Sequence, residues 1–72
     1  MDNELIKLDR QEAVTVVTLN RPEALNALST ELRNSISSTF DLLAQDAQTQ
    51  VIVLTGAGRA FSVGLDLKEL GG

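Results

Sequence analysis

The sequence predicts an α/β fold in the order strand, strand, helix, strand. Three observations carry this. Residues 13–19 (Ala-Val-Thr-Val-Val-Thr-Leu) are each β-branched or apolar. From Leu28 onward, apolar residues recur every three or four positions, the period of one helical face. Residues 51–54 (Val-Ile-Val-Leu) form a short apolar run with no alternation.

The elements follow in order. Residues 4–9 read as a short strand with Ile6 and Leu8 on one face. Asp9-Arg10-Gln11-Glu12 is polar and lacks the Asn-Gly signal of a two-residue hairpin, so a four-residue loop is expected. Alternation sorts residues 13–19 into two faces. Ala13, Thr15, Val17 and Leu19 share one, and Val14, Val16 and Thr18 the other. Both faces are largely apolar, which predicts a mostly buried strand.

Asn20-Arg21-Pro22 ends that strand, because proline lacks an N–H and disfavours helix at the residue before it. Ser29 or Thr30 can cap the next helix, and Glu31 in its first turn suits the helix dipole. Leu28, Leu32, Ile36, Phe40, Leu43 and Ala47 form the expected buried stripe, with the helix ending near residues 45–47. Residues 46–50 are a polar connection. Apolar character on both faces makes residues 51–55 a buried parallel strand. Strand, helix and strand then make a βαβ unit, right-handed by the general rule. One helix cannot cover both faces of such a strand, so the chain is expected to be the opening portion of a larger α/β domain.

Composition narrows the chemistry. A chain of 72 residues buries only about 60% of the surface its unfolded form exposes. It has no cysteine and no histidine, which removes disulfides, thiolate or imidazole metal sites, and Ser-His-Asp or Cys-His pairs from these residues. A net charge of −4, two Phe and no Tyr or Trp argue against a nucleic-acid surface. The start, Met1-Asp2-Asn3-Glu4, lacks the pattern of a signal peptide. No apolar run approaches the roughly 20 residues that span a bilayer. A cytoplasmic protein without membrane partners is the expectation.

Gly56-Ala57-Gly58 after a strand has the start of a dinucleotide-binding turn, but Phe61 stands where the third glycine is needed. A phosphate loop fails as well, for want of a Gly-Lys-Ser/Thr triplet. A flexible turn leaving the strand is the simpler reading of Gly56 and Gly58. Gly64 has a stronger functional case, since a residue without Cβ permits a positive φ or close approach of backbone to ligand. The run after Phe61 leads into a short helix-like segment. Backbone N–H groups at a helix start, beside the carboxyl end of a strand, can hold a developing negative charge without any side chain.

Three segments carry a family resemblance. Phe61-Ser62-Val63-Gly64-Leu65-Asp66 resembles the F-x-x-G-x-D signature of the crotonase, or enoyl-CoA hydratase/isomerase, superfamily. Residues 19–28 (Leu-Asn-Arg-Pro-Glu-Ala-Leu-Asn-Ala-Leu) resemble its first conserved block, and residues 51–56 the block between. The resemblance runs from about residue 6 to the end of the sequence. It implies that residues 1–72 form the N-terminal β-β-α-β part of a single domain with the crotonase-like spiral fold.

The resemblance also implies an activity. The substrate is an acyl-CoA thioester in fatty-acid or related metabolism, and no cofactor is needed beyond the coenzyme A that the substrate carries. The Leu65 N–H would be one oxyanion-hole donor, the second coming from a later segment. Ala24, Leu25, Ala60, Val63, Gly64, Leu65, Asp66 and Leu67 resemble the family's positions that meet the substrate and its coenzyme A. The catalytic glutamates of hydratases lie on later segments, and Glu31 and Glu69 do not match them. A homo-oligomer, trimeric or hexameric, is implied too.

Simpler readings stand beside these. Leu65 can be a buried leucine that also offers its backbone, and the carboxylate of Asp66 is read first as a helix cap. Asp66 and Glu69, three residues apart, read as a solvated helix face beside Lys68. Enoyl-CoA hydratase is the best single label, with the 72 residues catalytically silent alone. Another reaction of the superfamily (isomerase, dehalogenase or thioester hydrolase) is one alternative. A non-catalytic small α/β module is the other.

Overall fold

The computed structural model describes residues 5–62 and 64. A sheet in the order β1-β2-β3 is built from β1 (Ile6–Gln11), β2 (Val14–Leu19) and β3 (Val51–Gly56). β1 and β2 are antiparallel, with Ile6 opposite Leu19 and Gln11 opposite Val14. β2 and β3 are parallel, from Val14 beside Val51 to Leu19 beside Gly56. The helix α1 (Thr30–Ala44) connects these two strands, so the expected β-β-α-β order is the observed one.

The hairpin is tighter than the sequence suggested. β1 continues to Gln11, leaving only Glu12 and Ala13 to turn, in place of the expected four-residue loop. Glu12 makes this possible by adopting φ 56°, a left-handed conformation uncommon for glutamate. The alternation read in β2 holds: Thr15, Val17 and Leu19 are buried, and Val14, Val16 and Thr18 are half-buried.

Ser29 is the N-cap of α1, and its hydroxyl accepts a hydrogen bond from the Leu32 N–H at 3.1 Å. The helix ends as expected, with Gln45 as C-cap. Its buried stripe differs from the expected one. Leu32 and Leu43 are buried and Ile36 half-buried, but Thr39 takes the inward position between them, while Phe40 and Ala47 are exposed. Phe40 lies eight residues after Leu32, and the helix turns it to the rim of a narrow stripe. Leu32 and Leu43 meet Ile6, Val17 and Leu19 in one core, and Leu5, Leu8, Leu28, Ile36 and Ile52 pack around it.

β3 is parallel, as expected, but it is not buried. Val51, Val53 and Leu54 are exposed. β3 lies at the sheet edge, where Ile52, beside Thr15 of β2, packs against the core, while Val51 and Val53 lie on the opposite face and Leu54, beyond Ile52, is left exposed. Among the described residues no helix is long and apolar enough to cross a membrane.

Candidate functional site

β2 and β3 run parallel, so their carboxyl ends lie together, at Leu19 and Gly56. That end of a parallel pair is where open α/β sheets place ligands. Two segments leave it: residues 20–28 after β2, and residues 57–64 after β3. The first is built around proline. Pro22 occupies the first turn of a one-turn 3₁₀ helix (Pro22–Ala24), where a missing N–H costs nothing. The Leu25 N–H closes on the Pro22 carbonyl at 3.1 Å. Leu25 and Asn26 then both adopt left-handed backbone, φ 53° and 54°. Asparagine tolerates that conformation and leucine resists it, so two consecutive residues there mark a tightly determined turn.

Asn26 joins the two segments. It is fully buried. Its Oδ1 accepts from the Arg21 N–H at 2.7 Å. Its Nδ2 donates to the carbonyls of Ala57 and Ala60, both at 2.9 Å. Its backbone carbonyl accepts from Ser62 Oγ at 2.8 Å, and Ser62 Oγ in turn accepts from the Gly64 N–H at 3.1 Å. Two residues further on, the Leu28 N–H donates to the Gly64 carbonyl at 2.6 Å. Arg21 braces the same turn from outside, with Nη1 on the Ala27 carbonyl at 3.0 Å.

Gly56 and Gly58 serve close packing, which corrects the expectation of a merely flexible turn. A Cβ on Gly56 would fall 2.4 Å from the Phe61 carbonyl oxygen and 2.7 Å from Asn26 Nδ2. Gly58 has φ 87°, and a Cβ there would press on the Pro22 ring at 2.9 Å. Gly64 has φ 95° with open space beside it, so backbone conformation, and not crowding, selects glycine at that position.

Of the site residues read from the sequence, Ala24, Leu25, Ala60 and Gly64 are all half-buried at this end of the sheet. The Asn26 and Leu28 hydrogen bonds bring their two segments together. Val63, Leu65, Asp66 and Leu67 lie outside the described residues, as do Glu69 and the helix-like segment. Both polar groups of the Gly64 backbone are engaged, its N–H by Ser62 and its carbonyl by Leu28. An N–H offered to a ligand from this loop therefore has to come from a residue other than Gly64.

Asn26 and Ser62 were missed as site residues, although both lie inside the quoted motifs. The available signal was an asparagine shortly after a proline turn, where its backbone tolerance and its amide are both useful.

A second concavity lies at the opposite end of the sheet, between Leu8, Thr15, Leu42 and Leu43. Arg10, Thr15 and Asp46, which line it, are each engaged with other side chains. Arg10 pairs with Asp46 and donates to Gln48. Asp46 holds the Gln48 N–H and the Thr49 hydroxyl. Thr15 shares a hydrogen bond with Thr49. This end is a connection held in shape, without the converging backbone of the other.

Known proteins agree on what this arrangement is. A family model for enoyl-CoA hydratase/isomerase matches residues 9–72. A probable enoyl-CoA hydratase of Mycobacterium bovis is 40% identical over 70 residues, covering 97% of this chain and 27% of the relative. A hydroxycinnamoyl-CoA hydratase-lyase of Pseudomonas fluorescens is 42% identical over 64 residues, covering 89% of the chain and 23% of the relative. The crystal structure of an enoyl-CoA hydratase from Mycobacterium tuberculosis superposes with a TM-score of 0.88 at 43% identity, covering 94% of this chain and 31% of that one. The chain thus spans about a quarter of the length of the curated relatives it matches. Its strands and helix correspond to the N-terminal portion of the crotonase-like fold, and the chain belongs to the enoyl-CoA hydratase/isomerase family.

Proposed function

We infer that the whole protein acts on acyl-CoA thioesters as an enoyl-CoA hydratase. The Leu65 N–H is then one of two backbone donors to the thioester oxygen. In the reaction, water adds to the β-carbon of a 2-enoyl thioester. The pair of the carbon–carbon double bond shifts to join the α-carbon to the thioester carbon, and the carbonyl pair moves onto the oxygen as an enolate. A proton then goes to the α-carbon. Donors fixed where that charge develops favour the transition state over the ground state, and one such donor is worth about 2.7–4 kcal/mol.

The observation that carries this reading is the double engagement of Gly64, its N–H on Ser62 Oγ and its carbonyl 2.6 Å from the Leu28 nitrogen. Both polar groups of the Gly64 backbone are thus held inside the loop, which fixes the residue immediately before the donor in this reading, at a φ of 95° that residues with a Cβ rarely adopt. Ala24, Leu25, Ala60, Val63, Asp66 and Leu67 complete the coenzyme A surface in this reading. The second donor and the acid–base glutamates belong to later segments in the family, so the 72 residues alone are silent. Assembly as a homotrimer or hexamer, and a place in fatty-acid or related acyl-CoA metabolism, rest on the resemblance.

The test is a pair of variants in the whole protein, assayed on a 2-enoyl-CoA. Leu65→Pro removes the N–H, and Leu65→Ala keeps it while removing most of the side chain. Turnover is expected to fall roughly 100-fold or more in the proline variant and far less in the alanine variant, with both folded by circular dichroism. Full turnover in the proline variant removes Leu65 from the oxyanion hole. Equal severe losses in both assign Leu65 to packing.

A further inference from the structure

Asn26 is buried completely, so it touches no ligand, yet each polar group of its side chain is used. A carboxamide offers two N–H hydrogens and one acceptor oxygen. Its surroundings ask for that set: the carbonyls of Ala57 and Ala60 take the two hydrogens, and the Arg21 N–H takes the oxygen. Aspartate in its place would set an oxygen against two carbonyls. An aliphatic residue would remove all three hydrogen bonds at once, which is costly in a buried site. The backbone carbonyl of the same residue holds Ser62 Oγ, and through it the Gly64 N–H. Leu28, two residues away, holds the Gly64 carbonyl.

We propose that Asn26 is a positioning residue for the oxyanion donor. Its amide sets the spacing between the turn after β2 and the loop after β3, and thereby the place of Gly64, the residue that precedes the donor in sequence. This rests on the reading of Leu65 as that donor. Asn26 contributes nothing to substrate contact, so its loss leaves ground-state binding largely intact and displaces the donor from the place where the charge develops. A displacement of about 1 Å is enough to lower turnover by roughly 100-fold.

The experiment uses the whole protein, a 2-enoyl-CoA labelled with carbon-13 at the thioester carbonyl, and two variants that could fail for different reasons. Asn26→Asp is isosteric but loses the Nδ2 donors. Asn26→Gly loses the amide but accepts the left-handed backbone that Asn26 adopts at φ 54°. Steady-state kinetics give kcat and KM, and infrared difference spectra give the stretching frequency of the bound carbonyl. In the unmodified protein the bound carbonyl is expected at lower frequency than in solution, because the donors polarise it. In both variants kcat falls roughly 10-fold or more while KM changes by less than about threefold, and the bound frequency moves back toward its solution value.

A purely structural role would reduce the fraction of active protein without moving the frequency of what remains bound. Variants that keep the unmodified frequency therefore overturn the proposal, whatever their kcat. If the unmodified protein itself shows no frequency change on binding, the Leu65 reading fails and the role of Asn26 fails with it. A normal shift in the unmodified protein that persists in both variants removes Asn26 alone.

Discussion

Asn26 Nδ2 stands where a side chain on Gly56 would have to go, because a Cβ at Gly56 falls 2.7 Å from that nitrogen. The amide reaches the Ala57 and Ala60 carbonyls only because the last residue of β3 has no side chain. Glycine and asparagine, 30 residues apart in the sequence, thus fit one another at the shared carboxyl end of β2 and β3.

This fit separates two glycines that look alike in the sequence. Gly56→Ala drives a Cβ to 2.4 Å from the Phe61 carbonyl oxygen, a backbone atom that cannot rotate away. Gly64→Ala meets open space and suffers only from φ 95°. The expected loss in the whole protein is about 3 kcal/mol or more for Gly56→Ala. For Gly64→Ala it is about 1–2 kcal/mol. Urea denaturation midpoints measure both, and an equal or smaller loss at Gly56 contradicts the packing described.

Ser29→Ala removes the hydroxyl that accepts from the Leu32 N–H, at a position only 6% exposed. The expected loss is about 1 kcal/mol, against a few tenths for Ser29→Gly. The same denaturation series reads this. Indistinguishable alanine and glycine variants would show that Ser29 does not act as the cap.

The 72-residue chain studied by itself is expected to associate or to unfold without a sharp transition. β3 has one edge without a strand partner in the described sheet, and Val51, Val53 and Leu54 are 52%, 43% and 37% exposed. An apolar open edge recruits further strands. Sedimentation combined with urea titration tests this, and a monomer that unfolds sharply would contradict it.

Much of this fold was legible because each element carried its own local signal. The alternation of β2, the Ser29 cap and the polar stop near Gln45 all act within a few residues. Failures came where a neighbour decides. The tight hairpin depends on Glu12 adopting a left-handed backbone, which its residue type does not advertise. Thr39 displaces Phe40 from the core because the sheet accepts only a narrow stripe of α1. The exposure of Val51 and Val53 follows from the helix covering one face of the sheet, which a composition-based reading of the strand does not specify. At the site, Gly64 stood out by residue type alone, whereas Asn26 and Ser62 draw their importance from hydrogen bonds to residues 31 to 36 positions away. Such long-range pairing has no local sequence signature.

The most direct measurement is the amide proton shift of Leu65 in the nitrogen-15-labelled whole protein, titrated with an acyl-CoA thioester and then with a thioether analogue lacking the carbonyl. The Leu65 proton is expected to move downfield with the thioester only, while the Gly64 proton, already held by Ser62 Oγ, stays in place with both. Equal movement of Leu65 with both ligands, or a carbonyl-dependent shift at Gly64 in place of Leu65, would contradict it.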